Sequence, residues 1–205
     1  MPGLLGFVFK NREKASFFSK RFLKLIAKRA YYFPMLCRLL FSRFVIKAGG
    51  GKLGERTVFM NVAINGKSKN LLVGSDSYFG YKVDLSTHGL IEVGSKVVIN
   101  DNVVILTATH DLADAQWKII KKNVRIGDNA WIATNSLIMP GVNIGEGAVV
   151  GAGSVVREDI PSGGIVIGNP ARIVGYRKAS SYDYNPIVFV SPIEAWVGKN
   201  SKLFK

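Results

Sequence analysis

The sequence predicts an all-β fold: a left-handed parallel β-helix of hexapeptide repeats, with a short helical N-terminal segment and an extended C-terminal tail. The main observation is an unbroken six-residue period between Val124 and Val156. An amphipathic helix repeats near 3.6 residues and a strand at 2, so a period of six indicates a short strand followed by a corner. Three such units close one triangular coil. The inward aliphatic positions are Ile126, Ile132, Ile138, Ile144, Val150 and Val156.

Small residues and glycines accompany each unit of this repeat. Glycine follows the inward residue at positions 127, 145 and 151. Glycine tolerates tight backbone bends, which is what the corners of such a coil require. The residues four positions after each inward aliphatic are small or β-branched: Ala130, Ser136, Val142, Ala148 and Ser154.

The same phase continues upstream and predicts three more coils. The eight-residue step from Leu85 to Val93 indicates a corner insertion at His88–Gly89. The 21-residue step from Ile105 to Ile126 exceeds what a coil needs, so we expect residues 111–123 to form a loop extruded from the solenoid. The predicted inward triplets are Leu53, Val58 and Ile64 in an irregular first coil, then Val73, Phe79 and Leu85, then Val93, Ile99 and Ile105.

Length and charge divide the chain into three parts. With 205 residues it suits one principal domain, which we place at residues 52–178, between a basic amphipathic segment at 1–51 and a C-terminal tail at 179–205. Residues 1–48 hold eleven Lys/Arg and one acid, Glu13, so they carry +10 of the formal net charge of +14. The solenoid is therefore nearly balanced. The one cysteine, Cys37, excludes a disulfide framework within the chain and is compatible with a cytoplasmic location.

The basic segment interleaves Lys and Arg with Phe, Leu and Ile at helical spacing. Pro34 is expected to divide it into two short helices. Between Phe17 and Lys47 the longest uncharged run, Ala30 to Cys37, is too short to cross a bilayer. Two interpretations stay open: peripheral contact with an anionic membrane, or a helical cap on the first coil, which solenoids need. Nucleic-acid binding is not expected, because no nucleic-acid motif is present.

His110 is the first candidate for chemistry. It is one of two histidines and lies where the chain leaves the solenoid after Ile105. Histidine changes charge close to neutral pH, which suits a general base. Position alone favours a histidine at a loop edge with no role.

The motifs around His110 resemble those of the hexapeptide-repeat acetyltransferases, in particular the maltose/galactoside branch and the O-acetyltransferases of capsular and exopolysaccharide synthesis. They are "TATHD", "PGVNIG", "GAGSVV" and the Asn169-Pro170-Ala171 element. The resemblance covers about half of the chain, from Val73 to Lys178. It implies acetyl-coenzyme A as co-substrate, a sugar or glycan acceptor, and a homotrimer with each site shared by two solenoids.

The resemblance also assigns roles to single residues. His110 matches the catalytic base, which takes the proton of the acceptor hydroxyl. Arg172 corresponds to a base near the nucleotide phosphates, although a solvated surface charge remains an alternative. The positions that correspond to contacts with the pantetheine arm are Trp131, Ala133, Thr134 and Ala152.

The acceptor side departs from the family pattern. An Asn and an Asp hold the sugar in the sugar-acetylating branch, whereas counting back from His110 gives Gly80 and His88 here. We therefore do not expect this chain to share the maltose or galactoside acceptor of that branch. Asp111 could orient His110, pair with a neighbouring chain or cap its loop. Trp117 could line the acceptor side or only pin the loop.

Three other functions were weighed against sugar O-acetylation. N-acetylation of an amino sugar nucleotide ranks second. Relatives of that kind often carry a separate nucleotide-binding domain, and residues 1–52 are too short and too basic to form one. A γ-type carbonic anhydrase needs three histidines on zinc, so with two histidines no metal site is expected. A non-catalytic solenoid that only binds a partner stays open.

Overall fold

The computed structural model describes residues 3–179 and 181–198. Its α-helices are α1 (Leu4–Lys10), α2 (Lys20–Ala48) and α3 (Ser191–Val197). Short 3₁₀ turns span Ser68–Asn70 and Pro186–Phe189. The strands are β1 (Lys52–Leu53), β2 (Val58–Gly66), β3 (Leu71–Val73), β4 (Tyr78–Thr87), β5 (Ile91–Val93), β6 (Val98–Ile99), β7 (Val104–Ile105), β8 (Ala108–His110), β9 (Ile119–Lys121), β10 (Val124–Ile126), β11 (Trp131–Ile132), β12 (Leu137–Ile138), β13 (Asn143–Ile144), β14 (Val149–Val150), β15 (Val155–Val156), β16 (Gly164–Gly168) and β17 (Ala171–Tyr176).

These strands form the three faces of a parallel β-helix, as the repeat predicts. The first face stacks β1, β3, β5, β10 and β13 in that order. On the second face, the beginnings of β2 and β4 are followed by β6, β11, β14 and β16; on the third, their ends are followed by β7, β12 and β15. The antiparallel pair of β16 and β17 closes the far end.

The inward side chains stack from coil to coil in the predicted register. Ile132 pairs with Val150, and Ile138 pairs with Val156, in adjacent parallel strands. Both isoleucines are fully buried. At roughly 25 cal/mol per Å² of apolar surface, these rows of aliphatic residues are the main stabilising element of the solenoid.

The first coil differs from the prediction by one residue. Phe59, not Val58, points inward: its ring stacks on Phe79 with centroids 4.6 Å apart. Val58 is also fully buried, but on the outer side, beneath the helices. Strand periodicity places neighbouring residues on opposite faces, so with both faces covered the sequence alone cannot choose between two adjacent apolar residues.

The expected break at Pro34 was wrong, because α2 runs unbroken from Lys20 to Ala48. The helix begins where the Ser19 hydroxyl accepts a hydrogen bond from the Phe22 amide, 3.1 Å away. It ends at three consecutive glycines, of which Gly50 has φ of +86°. Tertiary packing on both sides of Pro34 holds the helix together despite the missing amide donor.

The C-terminal end of α2 seals the first coil. Ile46 is buried and belongs to the apolar interior of the solenoid. Arg43 donates to two corner carbonyl oxygens, of Thr57 at 2.6 Å and of Gly54 at 3.1 Å. Burial lowers the pKa of Arg43 from its ordinary value. The cap interpretation of the N-terminal segment is thus correct for this face of α2.

The tail is extended only in its first part. Tyr184 Oη donates to the Asn129 carbonyl oxygen at 2.9 Å, which holds the segment against the solenoid. The chain then forms the 3₁₀ turn and α3, which pack with α1 and α2 over Val58 and Met60. A second apolar cluster therefore joins both ends of the chain. In the described residues no helix is long and apolar enough to span a membrane.

Candidate active site

His110 lies on a β-hairpin that leaves the solenoid after the third coil. Its strands, β8 and β9, pair antiparallel, with His110 opposite Ile119. The hairpin begins directly after β7, three residues before the predicted loop start at 111. His110 therefore lies near the tip of a two-stranded projection that follows a rigid strand of the solenoid.

The imidazole of His110 is held by Trp117. Its Nδ1 lies 2.6 Å from the Trp117 carbonyl oxygen, and the two rings stack with centroids 4.8 Å apart. Because a carbonyl oxygen only accepts, Nδ1 carries the proton, and Nε2 keeps its lone pair in the neutral ring. Trp117 has φ of 56°, a left-handed conformation that costs a non-glycine residue about 1–2 kcal/mol. This conformation turns the carbonyl of Trp117 toward His110.

Asp111 caps the hairpin turn. Its Oδ1 accepts from the Ala113 amide at 3.0 Å. Asp111 thus takes the capping role, and the bond that orients His110 comes from Trp117.

Ala133, Thr134 and Ala152 lie on one ridge, where the second face turns into the third. The corners of the fourth and fifth coils stack here, with the Gly153 amide donating to the Thr134 carbonyl at 2.9 Å. The Ala133 amide donates to Val150, also at 2.9 Å. The backbone amide of Ala133 is therefore already hydrogen-bonded, and what Ala133 contributes to the ridge is a small side chain. Ala152 is exposed.

Trp131 lies beside this ridge, and Arg172 lies at the end of the same sheet. Trp131 stands on the second face, and its indole Nε1 donates to Asn100 Oδ1 at 2.6 Å. Arg172 lies on β17, beyond the last coil, and meets Glu158 at 3.2 Å. Both partners of that ion pair are exposed, so it holds the guanidinium only weakly and leaves it accessible to an anion.

Gly80 and His88 lie at different edges of the third face. Gly80 is buried at the ridge corner of the second coil, where the side chain of Asp101 fills the space a Cβ would need. His88 is exposed at the other corner, beside Gly89, whose amide donates to Thr107 at 2.8 Å. The structure thus brings His88, but not Gly80, to the edge from which the His110 hairpin departs.

An Asn–Asp pair on the third face was missed by the sequence analysis. Asn65 Nδ2 donates to Asp84 Oδ1 at 2.6 Å. Asp84 pairs with Val104 in β7, directly before the inward Leu85. Because the residue before each inward aliphatic points outward, the repeat register could have located Asp84. Asn100, which holds Trp131, precedes a corner and carried no such signal.

Known proteins share both the repeat and the fold. The family described as bacterial transferase hexapeptide, six repeats, matches residues 123–158. A protein of Escherichia coli assigned to colanic acid biosynthesis as acetyltransferase WcaF is 35% identical over 135 residues, 65% of this chain and 74% of that protein. The chain belongs to the hexapeptide-repeat acetyltransferase family.

Two further relatives extend this comparison. The galactoside O-acetyltransferase of Lactococcus lactis is 34% identical over 122 residues, which cover 57% of this chain and 56% of that enzyme. A hexapeptide-repeat acetyltransferase of Vibrio cholerae, solved with acetyl-coenzyme A, aligns with a TM-score of 0.62 and 25% identity. That alignment covers 87% of this chain and all of that one.

Within the ranges that the structure describes, no group of three or more His, Cys, Asp or Glu side chains could hold a metal ion.

Proposed function

We propose that the protein transfers an acetyl group from acetyl-coenzyme A to a sugar hydroxyl of a cell-surface glycan or of its precursor. The observation that carries this proposal is the hairpin geometry of His110, whose Nδ1 is tied to the Trp117 carbonyl. An acceptor-only Nε2 on an accessible projection is what a general base for a hydroxyl requires. The names of the two curated relatives support a sugar acceptor.

The reaction can take place in one ternary complex. The acceptor hydroxyl gives its proton to Nε2 of His110 while its oxygen attacks the thioester carbonyl carbon. The tetrahedral intermediate then collapses, the carbon–sulfur bond breaks, and the imidazolium returns the proton to the departing thiolate. A thioester needs no covalent enzyme intermediate, so no nucleophilic side chain is required.

The co-substrate would lie along the ridge. The small side chains of Ala133 and Ala152 leave room for the pantetheine arm, and the indole of Trp131 offers an apolar wall beside it. Arg172 is placed beyond the last coil, where its exposed guanidinium can meet the nucleotide phosphates. A bound acetyl-coenzyme A in the structure from Vibrio cholerae supports this co-substrate.

The Asn65–Asp84 pair is the best candidate for the acceptor side. Both side chains are polar, adjacent and on the outer side of the third face, one and two coils before the His110 hairpin. A carboxylate and an amide together can accept and donate to neighbouring sugar hydroxyls. We expect Asp84→Asn to raise the KM for the acceptor more than that for acetyl-coenzyme A.

Each site would be shared between two chains. In a single chain, the strands of the third face separate the ridge at their beginning from the hairpin after their end. The outward row of this face is apolar and half-buried over Val104, Leu137 and Val155. Packing this row against a second solenoid would place the ridge of one chain beside His110 of the next, as in a homotrimer.

The test combines a substrate panel with a matched pair of variants. Release of free coenzyme A would be followed with free sugars, sugar nucleotides and amino sugar nucleotides. His110→Ala should lower kcat by about 10²–10⁴-fold with little change in the KM for acetyl-coenzyme A. Thr109→Ala, one residue earlier on the other side of β8, serves as the control. A loss smaller than about tenfold in His110→Ala would remove the base from its role.

The product distinguishes O- from N-acetylation. An acetyl ester is hydrolysed by mild alkali or hydroxylamine, whereas an acetamide survives both. A base-stable product formed only with amino sugars would make the protein an N-acetyltransferase. No coenzyme A release with any acceptor, together with no binding of acetyl-coenzyme A, would favour a non-catalytic solenoid.

A further inference from the structure

Helix α2 has two apolar faces, and within the part of the chain that the structure describes, only one of them is buried. Its inner face is buried at Leu25, Leu36, Leu39 and Ile46. Ile46 packs into the solenoid, and Leu39 packs into the cluster with the C-terminal segment. A second series lies on the opposite side of the helix and is exposed. This outer stripe consists of Leu23, Ile26, Ala30, Phe33, Cys37, Phe41 and Phe44.

The outer stripe is long and continuous. Its members follow one another at intervals of three or four residues, which places them on one side of an α-helix. At 1.5 Å per residue the stripe extends over roughly 30 Å. Phe41 and Phe44 remain 65% and 67% exposed. Monomeric proteins rarely leave so large an apolar surface uncovered unless something binds it.

Two more phenylalanines prolong the stripe at its N-terminal end. Phe17 and Phe18, in the turn before α2, are 77% and 82% exposed. The ring of Phe17 stacks on that of Phe22, with centroids 4.8 Å apart. With this contact in place, the rings of Phe17 and Phe18 are both directed at solvent.

The charges along α2 determine which partner fits. From Lys20 to Ala48 the helix contains no acidic residue. Lys20, Lys24, Arg38 and Lys47 are exposed along α2 and form no ion pair within residues 3–179 and 181–198. A second copy of the chain docked stripe to stripe would bring these bases against each other. A surface of anionic lipid would instead neutralise them while it accepts the aromatic side chains.

We propose that α2 is a membrane-surface helix that lies in the interface of an anionic phospholipid membrane. Its phenylalanines enter the boundary between headgroups and acyl chains, and its lysines and arginines meet the headgroup phosphates. The buried face of α2 stays on the solenoid, so attachment requires no unfolding of the cap. The proposal concerns where the enzyme works and is independent of its acceptor.

Sedimentation of the full-length protein with vesicles tests this attachment. Vesicles of phosphatidylglycerol and phosphatidylcholine should bind the protein, vesicles of phosphatidylcholine alone should bind it at least about tenfold more weakly, and salt should release it. Phe33→Ser/Phe41→Ser/Phe44→Ser and Lys24→Glu/Arg38→Glu should each weaken binding to anionic vesicles by about tenfold or more. The control Lys118→Glu/Lys121→Glu makes the same charge change on the His110 hairpin and should bind like the unaltered chain.

Thermal unfolding of each variant checks that the cap is intact, because the substituted side chains are exposed and should leave Tm unchanged. Failure of the unaltered protein to bind anionic vesicles would overturn the proposal. So would a triple serine variant that still binds vesicles, or one that dissociates from a larger oligomer, since the stripe would then be covered by another copy of the chain. None of these outcomes bears on acetylation of a soluble acceptor, which is measured separately.

Discussion

Glycine at the corner between the first and second faces is required by the neighbouring coil. A Cβ on Gly127 would lie 2.6 Å from the amide nitrogen of Glu146, and one on Gly74 would lie 2.6 Å from the carbonyl carbon of Gly94. Neither glycine has a positive φ. The repeat predicted glycine at such corners. Glycine is required there because the backbone of the next coil lies so close, and not because the corner needs a special backbone conformation.

Gly127→Ala should therefore destabilise the solenoid by about 1–3 kcal/mol, the usual cost of overpacking. The obstacle is backbone, which cannot rotate away as a side chain would. Gly175→Ala is the control, because no atom lies within 4 Å of a Cβ at that position and its φ is not positive. Chemical denaturation of both variants measures the difference. Equal stabilities would show that the coils can separate to admit a methyl group.

Other corner positions do need a left-handed backbone. Asn102 and Asn135 adopt it at successive corners of the ridge, and Gly153 takes the same place in the fifth coil. Lys82 occupies this position in the second coil with φ of 55°. Asparagine and glycine adopt this conformation readily, whereas lysine is strained in it.

Lys82→Gly should raise the stability by about 0.5–1 kcal/mol, because relief of the strain exceeds the entropy that glycine loses on folding. Lys67→Gly is the matched control: Lys67 is also exposed, but its φ of −108° is ordinary extended backbone. That control should be destabilised or unchanged. A lower Tm for Lys82→Gly than for Lys67→Gly would contradict the strain argument.

At the scale of elements, one ion pair joins four parts of the chain. Arg56 in the first coil donates to both oxygens of Asp76 in the second, and both side chains are largely buried. Hydrogen bonding to Asp76 is the main cause that raises the pKa of Arg56. The guanidinium also lies over the ring of Phe7 in α1, at 5.7 Å. Asn185 of the tail donates to Asp76 Oδ1 at 3.3 Å.

Asp76→Asn should destabilise the protein by about 1–3 kcal/mol, because a buried guanidinium loses its charged acceptor while the shape of the site is kept. The C-terminal segment should also become easier to cleave by protease near Tyr184. Asp183→Asn is the control, since Asp183 is fully exposed in its 3.8 Å pair with Lys96 and such a pair is worth little. If cleavage of the tail were unchanged in Asp76→Asn, the pair would not anchor it.

The elements differ in how far sequence could predict them. Each unit of the solenoid repeats the same environment, so an error in assigning the inward residue of one unit is revealed by the next unit. The predicted inward triplets from Val73 onward were all confirmed. Helix α2 has no such redundancy. Its apolar residues occupy two opposite faces, and composition cannot assign one face to the solenoid and the other to the outside. Pro34 misled the prediction because packing at Leu36 and Leu39 outweighs its missing amide bond.

At the scale of the whole molecule, the solenoid of one chain holds apart the two parts of the proposed site. His110 follows the end of the third face, and the ridge of Ala133 and Ala152 precedes its beginning. The motifs thus point to these residues one by one, whereas in the proposed shared site their meeting depends on assembly. The Asn65–Asp84 pair could have been located from the register of Leu85, yet its bond joins two coils nineteen residues apart, a contact that no local pattern contains.

Mixed assemblies test the shared site directly. A chain with His110→Ala lacks the base but keeps its ridge. A chain with Ala152→Trp keeps the base, and its indole should block the pantetheine arm on an exposed corner without disturbing the core. Each homogeneous variant should be inactive. If every site combines His110 of one chain with the ridge of a neighbour, subunits mixed in equal amounts and reassembled should recover about a quarter of the unaltered activity, since a site needs the right variant on each side. Activity that stays at the level of the separate variants, in mixtures shown by mass spectrometry to contain mixed oligomers, would place the complete site within one chain. The apolar outward row of Val104, Leu137 and Val155 supports the first outcome, because it lies on the face that must meet the next chain for the two halves to join.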